Sequence, residues 1–505
     1  MDLGAYLPHW KSIRVVRPWA LSGPIAVLLI AVPLLRPLRH PDPRGICDDE
    51  QSRLATVQAI VEHRTLAIDS TVFSTTRQRV EVAGRHFSDQ PPVMAVLLSG
   101  PYWLMYHGGI TFEHNPLWVM FLLTMVGVTL PVALAAGLIY KMGRLFELRR
   151  PLRAALGLAV VLGSGLIAYA TTLNAHAPAA TLLLAATASL FQATQVRSAA
   201  TKAGWLAMGG FSAALAATLD PPALIFAGLL VIVVATYRLS GKARVGAVLI
   251  YLGGAALPLG LHAVLNLPIT GDIRPAYLHA ELGTAHDLAR MDRVPRSRLR
   301  AAQFRTMPAA GQSPSYLGPR SGFVSPNVRA DLSNDDDDED TRTVLQSLMH
   351  NIARVWLALF GAHGVLSHFP IVLVGIIGVG MVTRRHWHLS TKVLASVTLG
   401  GSIAVLLLFA LSQVDWRQAM FATRWFVIFL PLLLFWAGAW LRRPHRPTVW
   451  AFAGLLFFFS SAVALIGATG PEPRSGFDRY TAVGAFSNLV NPPPPEPEPA
   501  MFAGG

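Results

Sequence analysis

The chain has 505 residues, of which 53% are hydrophobic and only 14% are charged, and its mean hydropathy is +0.45. Soluble domains carry about 25% charged residues, so this composition excludes an ordinary soluble domain and favours a chain solvated largely by lipid. The net charge of +14 does not indicate nucleic-acid binding, because the basic residues cluster in short segments between apolar runs. The single cysteine, Cys47, excludes an internal disulfide.

The first apolar segment predicts an uncleaved membrane span over residues 19–38. Basic residues precede it, as in a signal peptide, but no small-residue cleavage site follows. We assign this and every later basic cluster to the cytoplasm, so the N-terminus is predicted to be cytoplasmic. The predicted spans lie between the clusters, at roughly 19–38, 117–140, 154–173, 177–195, 204–219, 222–237, 246–265, 368–383, 392–412, 425–441 and 448–468.

Two further apolar stretches, 92–107 and 352–367, do not fit this alternation. They are interpreted either as re-entrant or interfacial helices or as a pair of extra spans. The predicted fold class is therefore all-α, a polytopic transmembrane helical bundle of about 11–13 spans.

The conspicuous polar segments all fall on the predicted extracytoplasmic side. They comprise a first loop over 40–91, a long loop over 266–347, and a Pro-rich tail over 469–505 that is predicted to be disordered. The membrane domain is accordingly predicted to occupy residues 1–468. A protein with this arrangement is expected to have its functional site on the extracytoplasmic face.

The first loop begins with Asp48-Asp49-Glu50, just outside the first span. A carboxylate there could act as a general base or help to hold a divalent cation such as Mg²⁺ or Mn²⁺. A solvated helix N-terminus, where acids interact favourably with the helix dipole, is the alternative. Apolar residues then recur at the spacing of a surface helix: Leu54, Val57 and Ile60.

The same loop ends with Gly84-Arg85-His86-Phe87-Ser88-Asp89-Gln90-Pro91-Pro92, followed by an apolar stretch. The two prolines fix the entry into the next element. His86 and Asp89 are candidate substrate-site residues, and a loop that simply closes over the membrane is the alternative.

These two ends of the loop resemble the GT-C superfamily of membrane glycosyltransferases, over roughly residues 47–105. Within it they resemble the branch that contains protein O-mannosyltransferases and aminoarabinose transferases. The resemblance implies a GT-C-like fold with a helical first loop and a polyprenyl-phosphate donor of a hexose or pentose. It implies that Asp49 is the catalytic base, because Glu50 follows it directly, with Asp48 and Glu50 as further candidates. The acceptor would be a protein, lipid or glycan outside the cytoplasm of a prokaryotic cell.

Arginines on the disfavoured extracytoplasmic side suggest a phosphate partner, because guanidinium groups bind phosphate in a bidentate manner. The candidates are Arg77, Arg85 and Arg424, and contact with lipid headgroups is the alternative reading.

Two predicted turns on this side also carry polar residues. Asn174 and His176 could bind the sugar or the donor phosphate, or could form a plain turn between helices. Asp220, which precedes two prolines, is interpreted as a helix cap.

The rival functions are a transporter or lipid flippase and a non-catalytic membrane scaffold. Transporters place ionisable residues inside their spans and often have repeated halves, but the predicted span interiors are nearly free of acidic residues and show no convincing repeat. The sequence has no phosphate-binding loop and no cysteine metal cluster, so no metal ligand is assigned. The expected partners are the lipid-linked donor, its acceptor and membrane lipids, and not nucleic acid.

Overall fold

The computed structural model describes residues 18–39, 47–76, 78–237, 241–273, 337–361, 363–384, 387–411 and 424–469. Within these ranges the chain is helical apart from one β-hairpin and its connections. The first half contains α1 (Pro18–Ala31), α2 (Arg36–Arg39), α3 (Asp48–Glu62), β1 (Arg79–Val82), β2 (Arg85–Ser88), α4 (Pro92–His107), α5 (Pro116–Thr124), α6 (Leu130–Met142), α7 (Arg150–Gly163), α8 (His176–Gln195) and α9 (Ala199–Leu219). The second half contains α10 (Ala223–Ala235), α11 (Gly241–Thr270), α12 (Asp337–Phe360), α13 (Val365–His368), α14 (Val372–Thr383), α15 (Leu389–Leu411), α16 (Leu430–Phe435), α17 (Ala437–Leu441) and α18 (Pro447–Ala468).

The chain is an integral membrane protein. In the described part, six helical segments are long and apolar enough to cross a membrane: Pro18–Leu38, Pro116–Phe146, His176–Gln195, Gly241–Thr270, Leu389–Leu411 and Pro447–Ala468. A bent pair of helices raises this number to seven. The predicted 11–13 spans exceed the number of long helices, because other apolar segments form helices too short to cross on their own, such as Ala223–Ala235.

The two apolar stretches that broke the predicted alternation have different structures. Residues 92–107 form the single helix α4, which is 16 residues long and packs along α3. Residues 352–367 run through the end of α12 into α13, where a bend of 94° separates Leu348–His368 from Val372–Thr383. Such a bend is the geometry of a broken span or a re-entrant loop, which is one of the two interpretations of that stretch.

The predicted loop boundaries shift at the long loop. α11 continues to Thr270 and α12 already begins at Asp337, so both ends of the predicted loop 266–347 are helical. Residues 274–336 and the predicted tail from 470 onward lie outside the described residues.

Close helix packing in the membrane depends on glycines at the crossing points. Gly210 on α9 lies against the carbonyl of Tyr251 on α11, and Gly254 on α11 lies against the carbonyl of Ala207 on α9. A Cβ at either glycine would collide with backbone. Small residues at such crossings let two helices approach closely. This close packing holds helices together in lipid, where the hydrophobic effect does not drive them together.

The first loop is helical, as predicted, but α3 is more deeply packed than a helix lying on a membrane surface. Leu54 and Val57 are buried in the same core as α4. The hairpin that follows was not predicted. Its turn, Ala83-Gly84, has φ of 54° and 76°, which is the geometry of a tight two-residue hairpin turn.

Candidate active site

The acidic triplet occupies the first turn of α3, where the helix dipole stabilises negative charge. Successive helical residues point about 100° apart, so the three side chains meet different surroundings. Asp49 and Glu50 are buried, with 7% and 5% of their surface exposed, whereas Asp48 is half-buried. Their roles must therefore be considered one by one.

Asp49 forms a partly buried ion pair with Arg424, a residue 375 positions further along the chain. Its Oδ1 also accepts a hydrogen bond of 3.3 Å from Nε2 of Gln90. Burial raises the pKa of the Asp49 carboxyl, but the charges of Arg424 and Arg53 outweigh this effect and hold the pKa below its usual value. Asp49 is therefore ionised at neutral pH.

Gln90 connects Asp49 to a second carboxyl group. The same Nε2 atom donates to Oδ1 of Asp89 at 3.0 Å, while Oε1 of Gln90 accepts from Arg53 at 2.6 Å. Burial and the neighbouring charge of Asp49 raise the pKa of Asp89 to about 7. Two carboxyl groups in one site thus have opposite shifts in pKa.

Glu50 links α3 to α2 and to the segment that precedes α8. Its Oε2 pairs with Arg36 of α2 at 2.5 Å, and its Oε1 accepts from the backbone N–H of Leu173 at 2.5 Å. Both carboxylate oxygens are thus bound to groups that hold α3 in place. Asp48 accepts from the hydroxyl of Thr76, at 3.1 Å to its carbonyl and 3.5 Å to its side chain.

His176 begins α8 and lies beside the same site, where its charge contributes to the lowered pKa of Asp49. Its Nδ1 is 2.6 Å from Oδ2 of Asp220, which is 4% exposed. Asp220 accepts the N–H of Ala223 through its backbone carbonyl. The side chain of Asp220 therefore orients His176 and does not cap the following helix, contrary to the helix-cap interpretation.

Asn174 forms hydrogen bonds with the backbone of its own turn. Its amide donates to the carbonyls of Tyr169 and Thr172 at 2.6 and 2.9 Å, and its Oδ1 accepts from the N–H of Ala177 at 3.0 Å. These bonds fix the start of α8 and leave the side chain turned toward backbone.

The predicted substrate residue His86 and the predicted phosphate ligand Arg85 lie on β2 of the hairpin. Nδ1 of His86 is 2.7 Å from Asp69, in a pair whose side chains are 31% and 44% exposed. Arg85 is exposed on β2. Arg77 lies outside the described residues. The hairpin therefore does not bring His86 into contact with the Asp49–Arg424 pair.

Three residues of the site were not predicted as site residues: Arg53, Gln90 and Asp220. Asp220 was interpreted as a helix cap and not as the partner of His176. Arg53 lies one helical turn after Asp49 and donates to its carbonyl at 3.2 Å. That spacing was readable in the sequence as an i, i+4 pair. Gln90 directly follows Asp89 within the recognised motif, so its position was also a signal.

The described residues contain no group of three or more His, Cys, Asp or Glu side chains arranged to hold a metal ion. Guanidinium groups also already neutralise Asp49. A Mg²⁺ or Mn²⁺ ion therefore finds no ready set of ligands among the described side chains, and the possible divalent cation stays a prediction.

No known protein family matches the sequence, and a search of curated proteins finds no relative. Two solved structures of the Archaeoglobus fulgidus oligosaccharyltransferase are similar. The apo form is 12% identical with a TM-score of 0.48, over 96% of this chain and 59% of that one. The complex with Zn and sulfate is 13% identical with a TM-score of 0.49, over 90% of this chain and 54% of that one. This chain thus spans little more than half the length of those structures, and a likeness at this level identifies no branch of glycosyltransferases.

Proposed function

We propose that the protein is a membrane glycosyltransferase of the GT-C type, which moves a sugar from a polyprenyl-phosphate donor to an extracytoplasmic acceptor. The observation that carries the proposal is the Asp49–Arg424 pair. The family resemblance implies Asp49 as a catalytic carboxylate, the charge bias suggests Arg424 as a phosphate ligand, and the two side chains are in contact. A base beside a phosphate ligand is the minimal site for this transfer.

The proposed reaction is a single displacement with inversion. An acceptor oxygen attacks the anomeric carbon, the bond from that carbon to the phosphate oxygen breaks, and the acceptor proton passes to a carboxylate of the site, with Asp49 as the base that the resemblance implies. Arg424 stabilises the charge that the leaving phosphate gains. His176, oriented by Asp220, lies where it can contact the sugar or the phosphate.

The proposed orientation follows the positive-inside rule, with the N-terminus in the cytoplasm of a prokaryotic cell and the site on the outer face of its inner or plasma membrane. The segments that build the site support this arrangement. α3, the Asp89–Gln90 segment and the Arg424–Phe426 turn all lie outside the six long apolar segments. The acceptor is then a protein, lipid or glycan of the cell envelope.

A transporter or flippase is the rival function. It would require ionisable residues at the bilayer midplane within the spans. The buried carboxylates at Asp49 and Asp220 and the half-buried Asp89 instead lie at the ends of helices or between them, which favours chemistry at the membrane face.

The test uses purified protein, a radiolabelled polyprenyl-phosphate hexose and an envelope acceptor fraction. Asp49→Asn removes the carboxylate that pairs with Arg424 without a change in size, so we expect a loss of label transfer of about 10²-fold or more. Glu81→Gln is the matched control, because Glu81 is an exposed acid on β1 of the same loop, and we expect it to retain parental transfer. Absence of transfer by the parent with hexose and pentose donors alike, or full transfer by Asp49→Asn, would contradict the proposal.

A further inference from the structure

The two carboxyl groups of the site differ in how accessible they are to a substrate. Asp49 has 7% of its surface exposed, with Oδ2 engaged by Arg424 and Oδ1 by Gln90. A general base must present a lone pair to the proton that it removes. Asp49 has both oxygens engaged, which leaves little room for an acceptor hydroxyl.

Asp89 is the open member of the pair. It is half-buried, and its Oδ1 accepts the hydrogen bond from Gln90. Within the described ranges, its Oδ2 receives no hydrogen bond. Pro91 and Pro92 follow directly and restrict the backbone that carries it. One oxygen of Asp89 is therefore held in place while the other is available to a ligand.

The charges around Asp89 favour proton uptake near neutral pH. Burial and the Asp49 carboxylate raise the pKa of Asp89 to about 7, against the opposing effects of Gln90, Arg53 and Arg424. A general base works best when its pKa is close to the operating pH. Two neighbouring carboxyl groups with pKa values shifted apart are a recurring sign of divided acid–base roles.

We propose that Asp89 takes the proton of the acceptor, while Asp49 stays paired with Arg424. This inference rests on the proposed transfer reaction and reassigns one role within it. The acceptor O–H bond breaks as its oxygen bonds to the anomeric carbon. The proton moves to Oδ2 of Asp89, and the bond from carbon to the phosphate oxygen breaks, leaving its electron pair on the phosphate.

The test is the pH profile of kcat/KM in the label-transfer assay, for the parent, Asp89→Asn and Asp89→Glu. For the parent, we expect the rate to fall about tenfold per pH unit below a midpoint near pH 7, as Asp89 becomes protonated. Asp89→Asn should lose about 10²- to 10⁴-fold in kcat, and its profile should lack this decrease at acidic pH, the acid limb. Asp89→Glu keeps a carboxylate, so it should retain the limb with a reduced kcat.

Loss of the base must be distinguished from loss of folding. Each variant is checked for parental melting temperature, and Glu81→Gln should keep both the rate and the limb. A parent that transfers sugar with a flat profile around pH 7, or an Asp89→Asn variant that keeps the parental kcat, would overturn the role of Asp89 while leaving the transferase intact. A parent that transfers nothing from any donor would instead remove the proposed function.

Discussion

Glu50 offers a sharp test of how α3 is held in place. Its ion pair with Arg36 has an N–O distance of 2.5 Å, and the two side chains are only 6% and 7% exposed. Breaking a buried ion pair by removing one partner costs about 3–5 kcal/mol. Glu50→Gln removes the charge but retains an acceptor for the N–H of Leu173. We therefore expect this variant to lose about 3 kcal/mol in the free energy of unfolding, at the lower end of that range.

Glu50→Ala should lose more, because it also leaves the N–H of Leu173 without its acceptor in a buried position. An unsatisfied buried donor costs about 1–3 kcal/mol. The difference between the Ala and Gln variants therefore measures the hydrogen bond, and the difference between Gln and the parent measures the charge pair.

The control is a pair of the same kind at the surface. Glu147 and Arg442 also lie 2.5 Å apart, but their side chains are 70% and 45% exposed. Solvent-exposed pairs contribute about 0–1 kcal/mol, so Glu147→Gln should change stability by less than about 1 kcal/mol. The assay is denaturant unfolding in detergent micelles, followed by tryptophan fluorescence. Equal losses at Glu50 and Glu147 would refute the argument from burial.

Two further predictions concern the site and the helix packing. Gln90→Met removes a hydrogen bond that lowers the pKa of Asp89, so that pKa should rise and the acid limb of kcat/KM should move to higher pH; an unchanged limb would contradict this. Gly210→Ala forces α9 away from α11 and should lower the free energy of unfolding by about 1–3 kcal/mol. Gly253→Ala has no atom within 4 Å of its added Cβ, so it should not destabilise the protein. Thermal unfolding compares the two variants, and equal midpoints would contradict the close crossing.

The sequence predicts the all-α class, the helical first loop and the acidic start of the site, because apolar runs and helical spacing are local properties. Asp49 could be singled out by the resemblance of the acidic triplet to a family motif, which is also local in sequence. Its partner could not, since the contact with Arg424 depends on packing between segments 375 residues apart. Within the described residues, fewer helices are long enough to cross on their own than the predicted spans, because hydropathy alone does not show where an apolar run is broken.

The fate of individual polar residues was the hardest part to predict. Asn174 and His176 share one turn, yet Asn174 caps the helix and His176 pairs with Asp220. Within the first loop, Asp89 and His86 are three residues apart, and only Asp89 lies beside Asp49. On the hairpin, successive side chains point to opposite faces, so a difference of one position in register decides which residue reaches the site.

Two arginines explain why α3 begins with consecutive acids. In the proposed orientation, Arg36 and Arg424 lie on the face where positive charge is disfavoured. Arg36 is buried and Arg424 is partly buried, and each meets a different acid of the first turn, Glu50 for Arg36 and Asp49 for Arg424. An arginine that violates the charge bias therefore points to a buried counter-charge, which must come from elsewhere in the chain. The same turn of α3 thus anchors the first span through Glu50 and organises the proposed site through Asp49.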